Sequence, residues 1–437
     1  MKITFLGAGS TVFAKNVLGD CILSENLPDF EIALLDIDAT RLEESFNLIT
    51  AIKNKYRPNV VVNKYLATDE KQVELAFANA SYVINAIQVG GYDPCTITDF
   101  EIPKKYGLKQ TIGDTLGVGG IMRGLRTIKV LKEIANDIEE VSPNALFLNY
   151  TNPMAILTGY MQRYTKVKTI GLCHSVQVCS KSLFESINLN EKVGKELIAG
   201  INHMAWLLEI ENEQGKNLYP EIKQLAKKAN EQKHGNMVRL DYIDKLGYYC
   251  TESSEHNAEY NPFYIKNKYP ELIEEFCIPI DEYPRRCVNQ IKDWKAQREK
   301  LVNGNDIEHA RSIEYASYIM EAVVTNKPYR IGGNVINNGY ISNLPSDACV
   351  EVPCVVDSRG ITPDCKITLP VQLAAMNMTN INAQLLTIEA AVTGKKEHVY
   401  HALMLDPHTS SELSIKDIIN MADELIEEHA KAGFPVT

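Results

Sequence analysis

Residues 2–13 read KITFLGAGSTVF, and this stretch decides the fold. An apolar run enters a turn that contains two glycines, after which a helical pattern begins. Gly7 and Gly9 allow a tight turn and let a pyrophosphate approach the amino terminus of the helix, where free N–H groups favour anions. Val12 stands where the usual dinucleotide-binding fingerprint has its third glycine. An ordinary strand-to-helix turn is therefore the alternative interpretation.

An acid at the end of the second apolar run supports the nucleotide interpretation. Asp36 ends the run over residues 30–36, where a carboxylate can accept both ribose hydroxyls of an adenosine and repel a 2′-phosphate. NAD is therefore favoured over NADP, and Asp38 is better explained as a helix cap. The predicted cofactor-binding residues are Gly7, Gly9, Ser10, Thr11, Val12, Phe13, Asp36 and Asn152.

The amino-terminal part of the chain alternates strand and helix patterns. Short runs that are nearly continuous in hydrophobicity are typical of parallel strands covered on both faces. Strands are predicted over 2–7, 30–36, 60–66, 81–87, 145–150 and 167–173, with helices over 12–23, 39–55 and 119–138. This alternation predicts an α/β fold with a doubly wound parallel sheet of the Rossmann type.

The pattern changes at about residue 196. Helical patterns dominate beyond it, as over 307–324 and 369–392, with polar connections between them. A chain of 437 residues is long enough for two joined domains. We therefore predict an NAD-binding domain over 1–195 and a second domain over 196–437.

Composition excludes several classes of partner. A net charge of −11 argues against nucleic acid, because phosphate binding requires a basic surface. No apolar run reaches the roughly 20 residues of a membrane helix, and the amino terminus lacks the apolar segment of a signal peptide. The ten cysteines are scattered and form no Cys-x-x-Cys motif, which is typical of a reducing compartment. We expect a cytoplasmic protein that binds a small molecule.

A cysteine and a histidine follow the sixth predicted strand, in the sequence GLCHSVQ over residues 171–177. Open α/β sheets bind their ligands at the carboxyl ends of the strands. Cys173 and His174 are therefore candidates for a metal site or for a nucleophile. Adjacent residues of an extended strand point in opposite directions, so two bonds from this pair to one ion are doubtful.

Other connections carry further candidates. Gln88 and Asp114 lie in long glycine-rich loops. A long loop beside a cofactor site more often has a function than serves only as a linker. Asn152 precedes a proline, and the resulting extended backbone would hold its amide toward the cleft; capping of the next helix is the alternative. His203 lies in an apolar run, where a hydrogen-bonded core histidine is commoner than a metal ligand.

These motifs together resemble glycoside hydrolase family 4, the NAD- and manganese-dependent glycosidases. The resemblance is carried by residues 7–10, 88–94, 149–153, 173–177 and 202–203. Within the family, the bacterial α-galactosidases (melibiases) are similar over residues 173–177, 251–256, 281–287 and 406–408. Each motif is short, but the motifs extend from the first strand to the final helix, and their combination in this order is specific.

The resemblance implies a fold, an assembly and a metal site. It implies a lactate-dehydrogenase-like Rossmann domain, a carboxy-terminal mixed α/β domain for substrate, metal and oligomerisation, and a homodimer or homotetramer. Cys173 and His203 would be the metal ligands, one from each domain. Because a thiolate is a soft ligand, a site of one thiolate and one imidazole would favour zinc or iron. The expectation of Mn²⁺ therefore rests on the family, and other divalent metals stay open.

The resemblance also implies a mechanism. Hydride transfer from sugar C3 to NAD makes the C2 proton acidic, a base removes this proton, and the metal acts as a Lewis acid on the enediolate. The C1 oxygen then leaves by elimination, water adds, and the steps reverse. The base in the family is typically a tyrosine, for which Tyr249 is the best match and Tyr248 the alternate. His174 is a candidate acid or substrate contact, and Asn152 is expected to bond sugar hydroxyls.

The expected substrate is an unphosphorylated α-galactoside of the melibiose type. The 6-phospho enzymes of the family place an arginine where this chain has Gln88, and an amide cannot replace a guanidinium fork on a phosphate. Asp114 and Arg286 are further candidate sugar contacts, with structural salt bridges as the alternative for each. The competing interpretations are an α-glucosidase or α-glucuronidase of the family, a lactate- or malate-type NAD-dependent dehydrogenase, and a non-catalytic NAD-binding sensor.

Overall fold

The computed structural model describes residues 1–303 and 308–437, and over 295–303 it describes the helix without its side chains. The amino-terminal part alternates strands and helices, and each predicted strand and helix is confirmed to within two or three residues at its ends. The elements are β1 (Lys2–Leu6), α1 (Thr11–Leu23), β2 (Glu31–Asp36), α2 (Ala39–Tyr56), β3 (Val61–Leu66), α3 (Glu70–Phe77), β4 (Tyr82–Asn85), α4 (Ile97–Lys105), α5 (Gly117–Val141), β5 (Leu146–Asn149), α6 (Met154–Tyr164), β6 (Lys168–Leu172) and α7 (Cys179–Ile187).

The carboxy-terminal part mixes antiparallel strands with helices. Its elements are β7 (Val193–Ile201), β8 (Met204–Asn212), α8 (Tyr219–Ala229), α9 (Met237–Leu246), β9 (Tyr249–Cys250), α10 (Ser254–Glu259), α11 (Glu271–Glu275), α12 (Glu282–Asn303), α13 (Tyr315–Thr325), β10 (Tyr329–Ile336), β11 (Cys349–Asp357), β12 (Gly360–Pro363), α14 (Val371–Thr393), α15 (Lys396–Met404), α16 (Pro407–Glu412) and α17 (Ile415–Lys431). The helix predicted over 369–392 is confirmed by α14. The one predicted over 307–324 begins only at Tyr315, and residue 307 lies outside the described residues.

A 12-stranded sheet joins the two parts of the chain. Strands β3, β2, β1, β4, β5 and β6 lie side by side in that order and are parallel, which is the arrangement of a doubly wound Rossmann sheet. The sheet continues through β10, β11, β7, β8 and β9, whose pairings are antiparallel. The predicted fold class is therefore confirmed.

The register at the junction places the ends of β6 and β7 in one region. Gly171 of β6 pairs with Asn334, Asn334 pairs with Glu351, and Glu351 pairs with Gly200 of β7. Cys173 follows Gly171 by two residues along the chain, and His203 follows Gly200 by three. The division predicted between residues 195 and 196 falls inside β7, and it stays a prediction.

The hydrophobic core is continuous across this junction. One cluster of buried side chains includes Phe5 of β1, Trp206 of β8, Val350 of β11 and Leu373 of α14. Apolar burial in one contiguous cluster ties the antiparallel strands to the parallel ones. Among the described residues, no helix has both the length and the apolar character needed to cross a bilayer.

Three buried polar side chains meet where the two parts of the sheet join. Glu351 Oε1 accepts a hydrogen bond from Asn334 Nδ2 at 2.9 Å and one from Asn202 Nδ2 at 3.4 Å. Glu351 Oε2 and the Oδ1 atoms of both asparagines have no hydrogen-bond partner among the described residues. Burial raises the pKa of Glu351 to about 7. The three unpaired oxygens are acceptors without a donor in the described part of the chain. A protonated Glu351 carboxyl group can donate a hydrogen bond to an asparagine oxygen, whereas an ionised one cannot.

We expect Glu351→Gln to stabilise the protein increasingly as the pH rises. The folded-state pKa lies above the usual range, so the folded state binds more protons in the window up to about pH 7, and stability falls as pH rises through that window. The amide cannot ionise, so the advantage of the variant should grow by about 1–3 kcal/mol between pH 5 and pH 8. Thermal unfolding at both pH values measures this, with the exposed Glu213→Gln as the control. An advantage that does not change with pH would contradict a protonated Glu351.

Candidate functional site

The turn between β1 and α1 forms a cradle that only glycine fits. Gly7 has a φ of +86°, and a Cβ built there would lie 2.7 Å from the Ala86 carbonyl oxygen. A Cβ on Gly9 would lie 2.9 Å from Asp36 Oδ2, and the Gly9 N–H donates to the same atom at 2.6 Å. Ser10, which precedes α1, makes no side-chain cap. The amino terminus of α1 is thus open to an anion beside a close-approach turn.

Asp36 and Asp38, at the end of β2, make different contacts. Asp36 Oδ2 accepts from Gly9, and Asp36 Oδ1 accepts from the Asp38 N–H at 2.9 Å. The Asp38 side chain accepts from the N–H groups of Thr40 and Arg41 at the start of α2. The prediction that Asp38 is a helix cap is therefore confirmed, and Asp36 is the acid that contacts the glycine turn.

A cavity of about 370 Å³ lies between the first turn of α1 and residues of the carboxy-terminal part. Phe13, from the first turn of α1, lines it and packs edge-on against Tyr150 with ring centroids 5.1 Å apart. The lining residues that sequence analysis had named are Phe13, Gln88, Asp114, Asn152, Cys173, His174 and His203. The lining residues that it had not named as site residues are Ala86, Ile87, Arg123, Tyr150, Thr151, Met154, Leu172, Glu252 and His256.

Three groups of ligand type face one another in this cavity. Cys173 Sγ, one ring nitrogen of His203 and one carboxylate oxygen of Glu252 all lie within 4.8 Å of each other. His203 Nε2 lies 3.4 Å from Glu252 Oε2, while Nδ1 lies 3.1 Å from Thr115 Oγ1 and 3.2 Å from the Tyr260 hydroxyl. The set of a thiol, an imidazole and a carboxylate fits a divalent transition-metal ion.

The electrostatics of the cluster favour a cation. Burial lowers the pKa of His203, but the negative charges of Glu252, Cys173 and Asp114 outweigh burial and raise it to about 10. Burial raises the pKa of Glu252, yet His203 and His256 hold it below its usual range. The surroundings thus stabilise positive charge at the point where the three ligand groups converge.

Glu252 is the functional candidate that sequence analysis missed. It lies in the stretch over 248–256 that collects titratable groups, but nothing local marked it as the third ligand. Its φ is +63° and that of His203 is +62°, a left-handed conformation that costs about 1 kcal/mol or more for a residue other than glycine. These two turns aim both side chains at Cys173, and no sequence pattern predicted them.

Asp114 presents an ionised carboxylate to the same cavity. Thr115 Oγ1 donates to its Oδ1 at 2.7 Å, Asn152 Nδ2 donates to its Oδ2 at 3.3 Å, and His256 Nε2 lies 3.7 Å from Oδ1. Burial raises the pKa of Asp114, but His256, Arg123 and His203 outweigh it and hold the pKa well below the usual range. An anionic acceptor beside an amide is suited to sugar hydroxyls.

Asn152 and His174 both line the cavity. Helix α6 has Pro153 as its N-cap and no side-chain cap, so the alternative role of Asn152 is not realised. His174 Nε2 lies 2.6 Å from Glu314 Oε2, and the His174 side chain is 42% exposed. Both side chains are therefore accessible to a ligand in the cavity.

The structure does not bring the predicted base to the cavity. Tyr249 is fully buried, its hydroxyl accepts from Asn236 Nδ2 at 2.9 Å, and the Arg239 guanidinium lies 4.6 Å from the centroid of its ring. Burial raises the pKa of Tyr249 to about 12. Neither Tyr249 nor the alternate Tyr248, which packs on Tyr219, is among the lining residues. This placement gives no support to a tyrosine at 248 or 249 as the base.

Arg286 is also placed away from the cavity lining. Its guanidinium pairs with Glu255, and its Nε lies 2.8 Å from Glu282 Oε1 on the same helix, α12. The salt-bridge alternative therefore describes Arg286 in this structure.

The fold and the cluster of three candidate metal ligands are accompanied by a family match over both parts of the chain. The sequence matches "Family 4 glycosyl hydrolase" over residues 2–189 and "Family 4 glycosyl hydrolase C-terminal domain" over residues 198–409. The chain belongs to glycosyl hydrolase family 4.

Relatives within the family are similar over nearly the whole chain. An α-galactosidase of Bacillus subtilis (strain 168) is 61% identical over 428 residues, with 98% of both chains covered. An α-galactosidase of Rhizobium meliloti (strain 1021) is 33% identical, with 98% of this chain and 88% of the relative covered. Among solved structures, a 6-phospho-α-glucosidase from gut microorganisms in complex with NAD and Mn²⁺ shares the fold, with a TM-score of 0.79, 20% identity and 99% of both chains covered.

We expect Cys173→Ser and Glu252→Gln each to weaken Mn²⁺ binding by about 100-fold or more, since each removes a ligand and loss of outer-shell partners alone typically costs 10–100-fold. The glycine turn lies elsewhere, so NAD affinity should not change. Isothermal titration with Mn²⁺ and with NAD measures both. Glu255→Gln is the matched control, because this carboxylate lies three residues from Glu252 and pairs with Arg286 instead. Unchanged Mn²⁺ affinity in either variant would remove that residue from the site.

Proposed function

We propose that the protein is an α-galactosidase that hydrolyses unphosphorylated α-galactosides of the melibiose type, with NAD and a divalent cation, Mn²⁺ in the first instance, as cofactors. The observation that carries the proposal is one cavity that is lined both by Phe13, from the helix that follows the glycine turn, and by the group of Cys173, His203 and Glu252. The 61% identity to an α-galactosidase supports the choice of sugar.

The residues fit both cofactors. The turn at Gly7 and Gly9 has no space for a Cβ, and α1 starts without a side-chain cap, as a pyrophosphate-binding turn requires. When bound, NAD accepts and returns the hydride of sugar C3, and a divalent cation polarises the neighbouring oxygens. Cys173, His203 and Glu252 would hold that cation, and Asp36 would accept the ribose hydroxyls of the nucleotide.

The chain's own residues would orient the sugar. Asp114 accepts from sugar hydroxyls, and Asn152 stands beside it as a donor that already contacts its carboxylate. His174 reaches the cavity from its rim as a proton donor or acceptor. The proton at C2 passes to a group that lines the cavity. Tyr249 does not line the cavity. His256 lines it, and its Nε2 lies 3.7 Å from Oδ1 of the candidate sugar contact Asp114, so His256 is the first candidate for the base.

Charge at the cavity supports an unphosphorylated substrate. Gln88 contributes a neutral amide to the lining, and Asp114 and Glu252 contribute carboxylates. Arg123 NH1 donates to the Tyr283 hydroxyl at 3.1 Å, and the guanidinium lies near the ionised Asp114, which offsets its charge. The amide of Gln88 cannot replace a guanidinium fork on a phosphate, and this supports a substrate with neutral hydroxyls.

Release of the aglycone without net reduction of NAD is the expected result of the decisive assay. The protein would be incubated with p-nitrophenyl α-galactoside, NAD, Mn²⁺ and a thiol reductant, and nitrophenol and NADH would be followed together. Nitrophenol without NADH supports the proposal, whereas stoichiometric NADH supports a dehydrogenase of the lactate or malate type. If the α-glucoside or the α-glucuronide is turned over faster than the α-galactoside, that sugar is the substrate and the α-galactoside proposal fails. No turnover of any of them would support a non-catalytic NAD-binding protein.

Exchange of the C2 proton with solvent tests the mechanism and the base. We expect the product formed in D₂O to carry deuterium at C2. Tyr249→Phe should retain this exchange, because its hydroxyl is bonded to Asn236 inside the core, whereas His256→Ala should lower it by about 100-fold or more. Mass spectrometry of the product measures both. Product without deuterium would refute C2 deprotonation, and loss of exchange in Tyr249→Phe alone would restore Tyr249 as the base.

Three further predictions remain proposals. We propose a domain division near residues 195 and 196, a homodimer or homotetramer, and a location in the cytoplasm. All ten cysteines lie among the described residues and are free, which supports a reducing compartment.

A further inference from the structure

We infer that Glu314 is a positioning residue, which fixes the orientation of the His174 imidazole at the cavity. The inference rests on the role given above to His174, and it extends the site to a segment between α12 and α13 that no motif had marked. Glu314 itself does not line the cavity.

The contact between His174 and Glu314 is short, and the Glu314 side chain is almost fully shielded from solvent. His174 Nε2 lies 2.6 Å from Glu314 Oε2, and the side chain of Glu314 is 9% exposed while that of His174 is 42% exposed. A carboxylate accepts hydrogen bonds, so the nitrogen that faces it carries the hydrogen. Nδ1 has no hydrogen-bond partner among the described residues. It is therefore the ring nitrogen left for a ligand in the cavity.

Glu314 is in turn fixed to the nucleotide-binding part of the chain. Its backbone N–H donates to Ser312 Oγ at 3.1 Å. The Ser312 N–H donates at 2.9 Å to Oδ1 of Asp20, a fully buried residue of α1, and the Ser312 hydroxyl donates to Asp20 Oδ2. A buried carboxylate that accepts several bonds holds its donors tightly, because each of them would otherwise lose a charged partner.

A second contact to Asp20 fixes the same segment. His309 Nε2 lies 2.7 Å from Asp20 Oδ1, and both side chains are buried. The His309 ring lies against α1 at Gly19, where a Cβ would come within 2.6 Å of His309 Nε2. Glycine inside a helix is destabilising relative to alanine by about 1 kcal/mol, so its presence here is explained by the space that His309 occupies.

These contacts form one path from α1 to the cavity. The path runs from Asp20 through Ser312 to Glu314 and ends at His174, and each step is a hydrogen bond. The Ala316 N–H also donates to the hydroxyl of Tyr150 at 3.0 Å, and Tyr150 lines the cavity beside His174 with ring centroids 6.3 Å apart. The segment before α13 therefore holds the imidazole through Nε2, and the first turn of α13 supports the neighbouring wall residue Tyr150.

Loss of the Glu314 carboxylate should lower kcat more than it changes KM, because it frees the imidazole to rotate without removing a lining residue. We expect kcat of Glu314→Ala to fall by about 10- to 100-fold on p-nitrophenyl α-galactoside with NAD and Mn²⁺. Formate should restore part of this loss, because it can occupy the vacated carboxylate position next to the exposed ring. Formate should restore nothing in His174→Ala. Glu308→Ala, an exposed acid on the same segment, is the control and should keep the wild-type kcat.

The outcomes separate this inference from the role of His174. If His174→Ala keeps its activity, the proposed role of His174 fails. If His174→Ala is inactive but Glu314→Ala keeps its kcat, or loses it with no response to formate, the positioning role alone is overturned. Glu314→Leu keeps most of the side-chain volume but has no acceptor for the imidazole N–H, and it serves if the alanine variant does not fold, as judged by NAD titration. Its kcat should fall by about tenfold with unchanged NAD affinity, and an unchanged kcat would overturn the inference.

Discussion

The antiparallel pairing of β6 with β10 is the contact on which the rest of the structure depends. Gly171 pairs with Asn334 and Leu172 with Gly333, and through these pairs a parallel sheet continues into an antiparallel one. Both glycines are required by close packing: a Cβ on Gly171 would lie 2.6 Å from Thr158 Oγ1, and one on Gly333 would lie 2.8 Å from Cys354 Sγ. Without this close approach, the end of β6 would not meet the turn between β7 and β8.

The site is an electrostatic compromise between burial and charge. Burial disfavours each ionised carboxylate, and the imidazoles and guanidinium around Asp114 and Glu252 offset that cost. A neighbouring acid acts on the backbone instead: Glu259 of α10 accepts the N–H groups of Thr111, Ile112 and Gly113 at 2.8–3.3 Å. This contact holds the loop that carries Asp114. The position of the Asp114 carboxylate at the cavity therefore depends on the buried carboxylate of Glu259.

The parts of the molecule that sequence analysis predicted are those that local patterns encode. Runs of apolar residues predicted the six parallel strands, and the placement of Cys173 after a strand followed from chain order alone. Glu314 was not predicted, because it lies 140 residues from His174 and only the fold brings them together. Glu252 was missed because its orientation depends on a left-handed backbone turn. Tyr249 was proposed from the family resemblance, and its two-residue strand carries no periodic signal that would have predicted its burial.

A sheet that passes without a break through both halves of the chain also decides how the protein can be divided. The segment over residues 2–189 matches the family on its own, and its length is that of an ordinary domain. If it were produced alone, however, β6 would become an edge strand with unpaired N–H and C=O groups and an apolar surface beside them. Such an edge is a template for association with other chains. The two family matches thus cover parts of the chain that share one sheet, and we expect a soluble fragment over residues 2–189 to require a redesigned β6 edge.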